Sequence, residues 1–233
     1  MRTLLVIGLL LALLMPASAL GQSDFDGTWK IDLNSSQLQT ETQVFLLQNG
    51  TYECRSCVPI IKLKADGTDQ TVPGSPYFDT ISVKVADERT IEETRKKKSK
   101  VVAISTITVS TDGNTATFEY TDNSHASGDP VTGRDSVVRV GKNKRSPGVH
   151  AISGSWRFSK MENLSDNART FTLRVEDDTL SMTNPIGESY SAKLDGTEPP
   201  YKGDPAVGSV SVKRLSKGTI EETDLHDGKA IRV

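Results

Sequence analysis

The sequence predicts an all-β protein made of two tandem antiparallel β-barrels, the second of them incomplete at its C-terminal end. Apolar and polar residues alternate with a period of two along most of the chain, and turn residues separate the alternating runs. The only two tryptophans, Trp29 and Trp156, stand in two similar stretches, FDGTWK and ISGSWR. An internal repeat is the third observation: KADGT from Lys64 returns as KLDGT from Lys193, an offset of 193 − 64 = 129 residues.

The N-terminal segment has the features of a secretory signal peptide in the expected order. Arg2 provides a positive charge, Leu4 to Leu14 is an apolar run, and Ala17-Ser18-Ala19 fits a cleavage site. The apolar run is too short to span a bilayer, and a buried N-terminal helix is the alternative. We expect residues 1–19 to be removed. The mature protein is then exported, periplasmic or extracellular, and has no stable membrane insertion.

The charge balance argues against nucleic acid as a partner. The chain has 28 Lys and Arg against 30 Asp and Glu, a formal net charge of −2, whereas nucleic-acid-binding domains carry a basic excess. One basic run, Arg95 to Lys98, closely follows Glu92 and Glu93. We interpret it as a solvated hairpin tip rather than a binding patch.

The first repeat, residues 22–140, contains about eight or nine predicted strands, enough to close a small barrel. Asn49-Gly50 predicts a tight hairpin turn, and the polar stretch Asp122 to Arg134 predicts a loop. The strands are predicted at Thr28–Leu33, Gln43–Leu47, Thr51–Cys54, Ile60–Lys64, Ile81–Val85, Thr90–Lys96, Lys100–Ser110, Thr115–Thr121 and Ser136–Val140.

The second repeat is predicted over residues 151–233, after a basic linker at residues 141–150 that contains Pro and Gly. At the same offset, TIEET from Thr90 recurs from Thr219, and Val233 corresponds to Ile104. Residues 105–140 then have no counterpart. Two explanations stay open, a truncated chain and completion by another molecule. Strands are predicted at Arg169–Glu176, Leu180–Thr183, Glu188–Leu194, Ser209–Leu215 and Thr219–Asp224.

The two cysteines, Cys54 and Cys57, are close in sequence. In an exported protein such a pair is expected to form a disulfide. A redox motif would start a helix, whereas Thr51 to Glu53 is predicted as strand. A zinc site would need further ligands, and His125, His150 and His226 are scattered singly. We therefore predict a structural disulfide, no metal site and no cofactor.

The stretch FDGTWKID at the head of a barrel-sized all-β segment resembles the opening of proteins of the calycin superfamily. It is similar to fatty-acid-binding proteins and bacterial lipocalin-like domains. The resemblance implies that Trp29 and Trp156 each plug the closed end of a barrel. It also implies that an Arg near the end of the last strand packs over the indole, a position that Arg139 occupies; the alternative is a solvent-facing Arg. The cluster of Arg and Tyr that binds a carboxylate in fatty-acid-binding proteins is not located in this sequence.

No catalytic constellation is present, because the chain lacks a Gly-x-Ser-x-Gly elbow and a glycine-rich phosphate loop. The paired acids Glu92, Glu93, Glu221 and Glu222 recur in both repeats. Since neighbours in a strand point to opposite faces, one of each pair points into a barrel. These residues are candidate ligand-binding groups, and the alternative is a solvated edge pair.

The sequence predicts a non-enzymatic protein that binds a small, partly apolar ligand within a barrel. The alternative is a cell-envelope or extracellular interaction module whose barrels are filled by side chains. The aromatic content of 6% favours that alternative slightly, because aromatic residues commonly line ligand cavities. No oligomeric state follows from the sequence.

Overall fold

The computed structural model describes residues 23–34, 41–141 and 147–232. Within these ranges the chain is all-β apart from one helical turn, α1 (Asp166–Arg169). The predicted signal peptide, residues 1–19, lies outside the described residues. So does the middle of the predicted linker, residues 142–146.

The first part of the chain forms ten strands. Nine of them overlap the predicted strands, and a short strand at Gln70–Thr71 was not predicted. They are β1 (Gly27–Lys30), β2 (Thr42–Gln48), β3 (Thr51–Cys54), β4 (Ile61–Lys64), β5 (Gln70–Thr71), β6 (Thr80–Val85), β7 (Thr90–Lys97), β8 (Lys100–Val109), β9 (Thr115–Asp122) and β10 (Val131–Val140).

The second part adds seven strands. They are β11 (Gly154–Leu164), β12 (Thr170–Glu176), β13 (Thr179–Thr183), β14 (Ser189–Lys193), β15 (Ser209–Ser216), β16 (Thr219–His226) and β17 (Lys229–Arg232).

Ten strands form one antiparallel sheet in the order β4-β3-β2-β11-β10-β9-β8-β7-β6-β5. Its two ends approach each other. The side-chain amide of Gln70 accepts a hydrogen bond from Lys64 N and donates one to Lys64 O. The backbones of Asp66 and Lys84 form an isolated antiparallel β-bridge. The sheet is therefore a nearly closed barrel, and the prediction of an all-β protein with an antiparallel barrel is confirmed.

The barrel takes one strand from the second repeat. β11, which carries Trp156, lies between β2 and β10, with Gly154 opposite Phe45. In return β1, which carries Trp29, pairs with β12, with Gly27 opposite Leu173. The two predicted repeats thus exchange their first strands, and pairing crosses the predicted boundary at residues 141–150.

Two smaller sheets make up the rest of the described chain, one ordered β1-β12-β13-β14 and the other β15-β16-β17. They share a second apolar core that includes Leu180 and Tyr190 from the first sheet and Val210 and Val212 from the other. The sheets meet where β14 approaches β15, through a bridge between Asp195 and Lys213. Among the described residues they form no second closed barrel.

β10 begins at Val131, inside the predicted loop. The polar side chains of Thr132 and Arg134 misled the sequence interpretation, because they lie on the outer face and are exposed. Gly133 points inward between them, and a Cβ there would collide with the ring of Tyr120. A strand with a polar outer face and a glycine inside lacks the apolar alternation on which the prediction depended.

Candidate functional site

The interior of the ten-stranded barrel holds a cavity of about 520 Å³ that is partly open to solvent. Its walls come from β2, β3, β4 and β7 to β11, so the exchanged strand contributes to it through Phe158. This volume lies within the range of roughly 300–1,000 Å³ that is usual for small-molecule sites.

Aromatic side chains make up much of the apolar wall. Five of the 13 aromatic residues of the chain line the cavity. The ring of Phe45 contacts two of the others, with centroid distances of 6.1 Å to Tyr52 and 6.2 Å to Phe118. Aromatic residues are therefore rare in the chain as a whole but concentrated in the wall of this cavity. The five are Phe45, Tyr52, Phe118, Tyr120 and Phe158.

A buried polar cluster forms part of the same wall. Glu93 is only 3% exposed. The Tyr52 hydroxyl donates to Glu93 Oε1 at 2.7 Å, and Arg95 Nη2 donates to Glu93 Oε2 at 3.0 Å. Because a buried carboxylate is tolerated only when it is paired, these two donors hold Glu93 in place. Burial, together with the negative charge of Glu93, raises the pKa of Tyr52 well above its usual value.

Arg95 is the residue that the sequence interpretation misplaced. It stands at the start of the basic run assigned to a solvated tip, but it points into the barrel. Its guanidinium carbon lies 5.4 Å from the centroid of the Phe78 ring. The sequence did contain a signal for this inward position. Every second residue of a strand lies on the same face, and one face of β7 carries Ile91, Glu93 and Arg95.

A second polar group faces the cavity from β10 and β9. Asp135 lines the cavity beside Tyr120, and its buried Oδ1 has no hydrogen-bond partner among the described residues. Burial, and secondarily the negative charge of Glu162, raises the pKa of Asp135 to about 6. Burial, and then the charge of Asp135, raises the pKa of Tyr120 to about 12. No pattern in the sequence pointed to this pair, because β10 was only partly predicted.

The cavity has an acidic lining. Its charged residues are four acids and one base, namely Glu41, Glu93, Asp122, Asp135 and Arg95. Since Arg95 is already paired with Glu93, the remaining carboxylates make the site more favourable for a cation or a hydrogen-bond donor than for an anion.

The predicted disulfide lies at this site. Cys54 and Cys57 are joined, and both line the cavity. Cys54 is the last residue of β3 and its side chain belongs to the apolar core of the barrel. The cross-link therefore fixes the start of the segment that leads from β3 to β4 beside the cavity.

The other predicted acids lie elsewhere. Glu92 is exposed, with one carboxylate oxygen 3.6 Å from Lys84 Nζ. Glu222, at the position that corresponds to Glu93, accepts a hydrogen bond of 2.6 Å from the Tyr190 hydroxyl, beside the second core. Glu221 is half-buried and faces Lys213 across the β15–β16 pair. Of the four acids, only Glu93 lines the barrel cavity.

The two tryptophans differ sharply in their environments. Trp156 is completely buried under Arg139, whose guanidinium carbon lies 4.0 Å from the centroid of the indole ring. Trp29 is 44% exposed. The same sequence motif therefore lies in the nearly closed barrel in one case and, among the described residues, at a sheet edge in the other.

Among the described residues, no group of three or more His, Cys, Asp or Glu side chains is arranged to hold a metal ion. The part of the chain described here also has no helix long and apolar enough to cross a membrane. No protein family model, no curated protein and no solved structure matches this chain.

Proposed function

We propose that this protein is an exported, non-enzymatic carrier that binds a small, partly apolar molecule inside its ten-stranded barrel. The observation that carries the proposal is the cavity of about 520 Å³ with five aromatic rings and a fixed polar cluster in its wall. Apolar walls with a few placed polar groups are the usual composition of a small-molecule site. A barrel filled by its own side chains would leave no such space.

The lining also favours one kind of ligand over others. Phe45, Phe118 and Phe158 provide apolar contact for a ring or short chain. The Glu93 carboxylate is held by two donors. Asp135 keeps one buried oxygen that has no partner in the described part of the chain. A ligand with an ammonium or hydroxyl group at one end satisfies these acceptors. A carboxylate at that end would face an excess of negative charge.

The family and the architecture belong to the same proposal. A closed barrel with a buried Gly-x-Trp and an Arg stacked on the indole supports the resemblance to lipocalin-like domains of the calycin superfamily. We extend this to the second half as a related barrel with a gap, made from β1 and β12 to β17. A ligand other than a fatty acid is favoured, because Glu93 pairs with Nη2 of Arg95 and partly neutralises the guanidinium that would bind a carboxylate.

Export is the setting in which this carrier works. The disulfide between Cys54 and Cys57 supports it, because disulfides persist in oxidising compartments and are rare in the cytosol. The signal-like order of Arg2, the apolar run and Ala17-Ser18-Ala19 supports it independently.

Three probes with one apolar body and different end groups test the proposal: 1-naphthylmethylammonium, 1-naphthalenemethanol and 1-naphthoate. Binding to the full chain is measured by calorimetry at pH 7. We expect the cation to bind most tightly and the anion least, by about tenfold or more, which corresponds to roughly 1.4 kcal/mol. Absence of binding for all three contradicts the carrier and supports an interaction module that binds no ligand in its barrel.

Two variants on one strand give the matched control. Ser105 lines the cavity, whereas the neighbouring Ile104 lies on the outer face of β8 and is 49% exposed. Ser105→Trp places an indole in the cavity and should abolish probe binding. Ile104→Trp adds the same group outside and should leave binding unchanged. Equal effects of the two variants would place the probe outside the barrel.

A further inference from the structure

Two carboxylates in the wall of the barrel cavity have opposite surroundings. Glu93 accepts hydrogen bonds from the Tyr52 hydroxyl at 2.7 Å and from Arg95 Nη2 at 3.0 Å. Asp135 lines the same cavity, but its buried Oδ1 has no hydrogen-bond partner among the described residues. Because a buried polar atom without a partner costs free energy, Asp135 is the place in the lining where a donor from a ligand gains most.

The arginine next to Asp135 in the sequence does not neutralise its carboxylate. Arg134 is exposed on the outer face of β10. Its guanidinium pairs there with Glu119 of β9 at 2.8 Å and with Glu162 of β11 at 2.9 Å. The guanidinium of Arg134 is therefore committed to two other carboxylates on the opposite side of the sheet.

The other charged and titratable groups around Asp135 give a negative balance. On the neighbouring strand β11 they are Glu162 and Lys160, which are both exposed. On the other neighbour, β9, they are Tyr120 and Asp122, which both line the cavity. The remaining charged residues of the lining are Glu41, Glu93 and Arg95. Since the Arg95 guanidinium is paired with a carboxylate, this balance favours a cation beside Asp135.

Aromatic rings border the Asp135 carboxylate. Phe118 of β9 lies directly opposite Asp135, and Tyr120 is its diagonal neighbour on the same strand. The Tyr120 ring packs over Gly133, where a Cβ would collide with it, so the ring is held against the cavity wall. A cation is attracted both to a carboxylate and to the face of an aromatic ring. The site therefore offers an ammonium group two favourable contacts at once.

We infer that Asp135 selects a cationic amine with an apolar body as the ligand of the barrel, and that protonation of Asp135 in mildly acidic solution releases this amine. The inference rests on the proposed carrier function and adds to it the class of ligand and its regulation. An ammonium group at this place forms a charge-assisted hydrogen bond with the carboxylate and supplies the donor that Oδ1 lacks. A protonated, neutral carboxyl group loses the ionic attraction.

The proton and the amine compete for the same carboxylate. Burial, and then the negative charge of Glu162, raises the pKa of Asp135 to about 6. A bound cation favours the ionised form and lowers this pKa in the complex. Affinity for the amine is therefore full above about pH 6 and is lost as the pH falls through that value. Between pH 7 and pH 5 the loss is about tenfold.

Calorimetry on the full chain with 1-naphthylmethylammonium, at pH 7 and at pH 5, tests the inference. The probe stays charged at both values, because alkylammonium groups titrate far above pH 7. We expect it to bind about tenfold more weakly at pH 5. The affinity of 1-naphthalenemethanol should change less than about threefold, because its hydroxyl group both donates and accepts hydrogen bonds.

Two variants assign the effect to one carboxylate. Asp135→Asn keeps the shape of the side chain but removes its charge. At pH 7 it should bind the amine about as weakly as the unmodified chain does at pH 5, and its affinity should not depend on pH. Asp177→Asn makes the same chemical change in the exposed turn between β12 and β13, and it should keep the tenfold difference.

Proton release is a second measurement that needs no variant. At pH 6 about half of the Asp135 side chains carry a proton. Binding of the amine at this pH should therefore release about half a proton per ligand. The binding enthalpies in two buffers with different enthalpies of ionisation give this number, and Asp135→Asn should release none.

Two results would overturn the inference and leave the carrier function in place. One is that the amine binds equally well at pH 7 and at pH 5 and releases no proton at pH 6. The other is that Asp135→Asn keeps the dependence on pH, which assigns it to another carboxylate of the lining. If no naphthyl probe binds at either pH, the carrier function itself fails, and the inference fails with it.

Discussion

Arg139 covers the indole ring of Trp156 and hydrogen-bonds to two separate segments at the same point. Its guanidinium donates to Gly113 O at 2.6 Å and to Ser153 O and Ala151 O at 2.7 Å each. The carbonyls belong to the turn before β9 and to the segment that leads into β11. This one side chain therefore closes the barrel at the place where the strand from the second repeat enters it.

Replacing Arg139 by lysine should destabilise the protein by about 2–4 kcal/mol, because a single ammonium does not span three carbonyls in a fixed plane. Denaturation by urea, followed by circular dichroism, measures the change. A double-mutant cycle with Trp156→Phe should show a coupling of about 0.5–2 kcal/mol. A loss below about 0.5 kcal/mol, typical of a surface site, would contradict the closing role.

The two tryptophans should differ in their contributions to stability. Trp156→Ala removes a completely buried ring and should cost about 3–5 kcal/mol. Trp29 is 44% exposed at a sheet edge, and Trp29→Ala should cost less than about 2 kcal/mol. The same urea experiment compares them. Equal costs would mean that the Trp29 ring is covered in solution.

Asp135 should make stability depend on pH. Its pKa is raised to about 6, above the usual value near 4 for an unfolded chain. The folded state then binds the proton more tightly, so the stability of the protein should fall as pH rises from about 4 to about 6. Asp135→Asn should stabilise the protein by about 1 kcal/mol at pH 7, after allowance for solvent screening, and have little effect at pH 4.

The exposed Asp177, in the turn between β12 and β13, provides the control. Asp177→Asn should leave the midpoint of urea denaturation unchanged at both pH values. If Asp135→Asn lowers stability at pH 7, then Asp135 is stabilised as a carboxylate and the direction of its pKa shift is wrong.

The strand exchange predicts which fragment folds. Residues 41–165 include β2 to β11 and therefore the complete barrel sheet. Residues 22–145 follow the boundary suggested by the repeat, but they lack β11 and with it Trp156. We expect the first fragment to melt cooperatively as a monomer. The second should melt broadly or associate, because β2 and β10 lose their shared neighbour. Equal melting of both fragments would show that β11 is dispensable.

The sequence determined the local structure of this protein. Alternation with a period of two places Ile91 and Glu93 on the inner face of β7 and Glu92 on the outer face. The sequence also predicted the Asn49-Gly50 turn, in which both residues have positive φ. It likewise predicted that the recurring TIEET stretch forms a strand in both places, β7 and β16. These features depend on the conformational preferences of residues that are adjacent in the chain, so they can be predicted from the sequence alone.

Only the tertiary structure decided the partners of each strand. β1 and β11 carry the same motif and lie in the same register on their respective neighbours, with Gly154 opposite Phe45 and Gly27 opposite Leu173. Local preference therefore does not specify which strand pairs with β2. The strand that pairs with β2 and β10 has its tryptophan covered by Arg139, and the tryptophan of the other strand is left exposed. The covering side chain comes from a distant strand, so the local sequence does not specify it. The inward position of Arg95 and the cavity around Glu93 likewise became visible only when distant strands closed into one barrel.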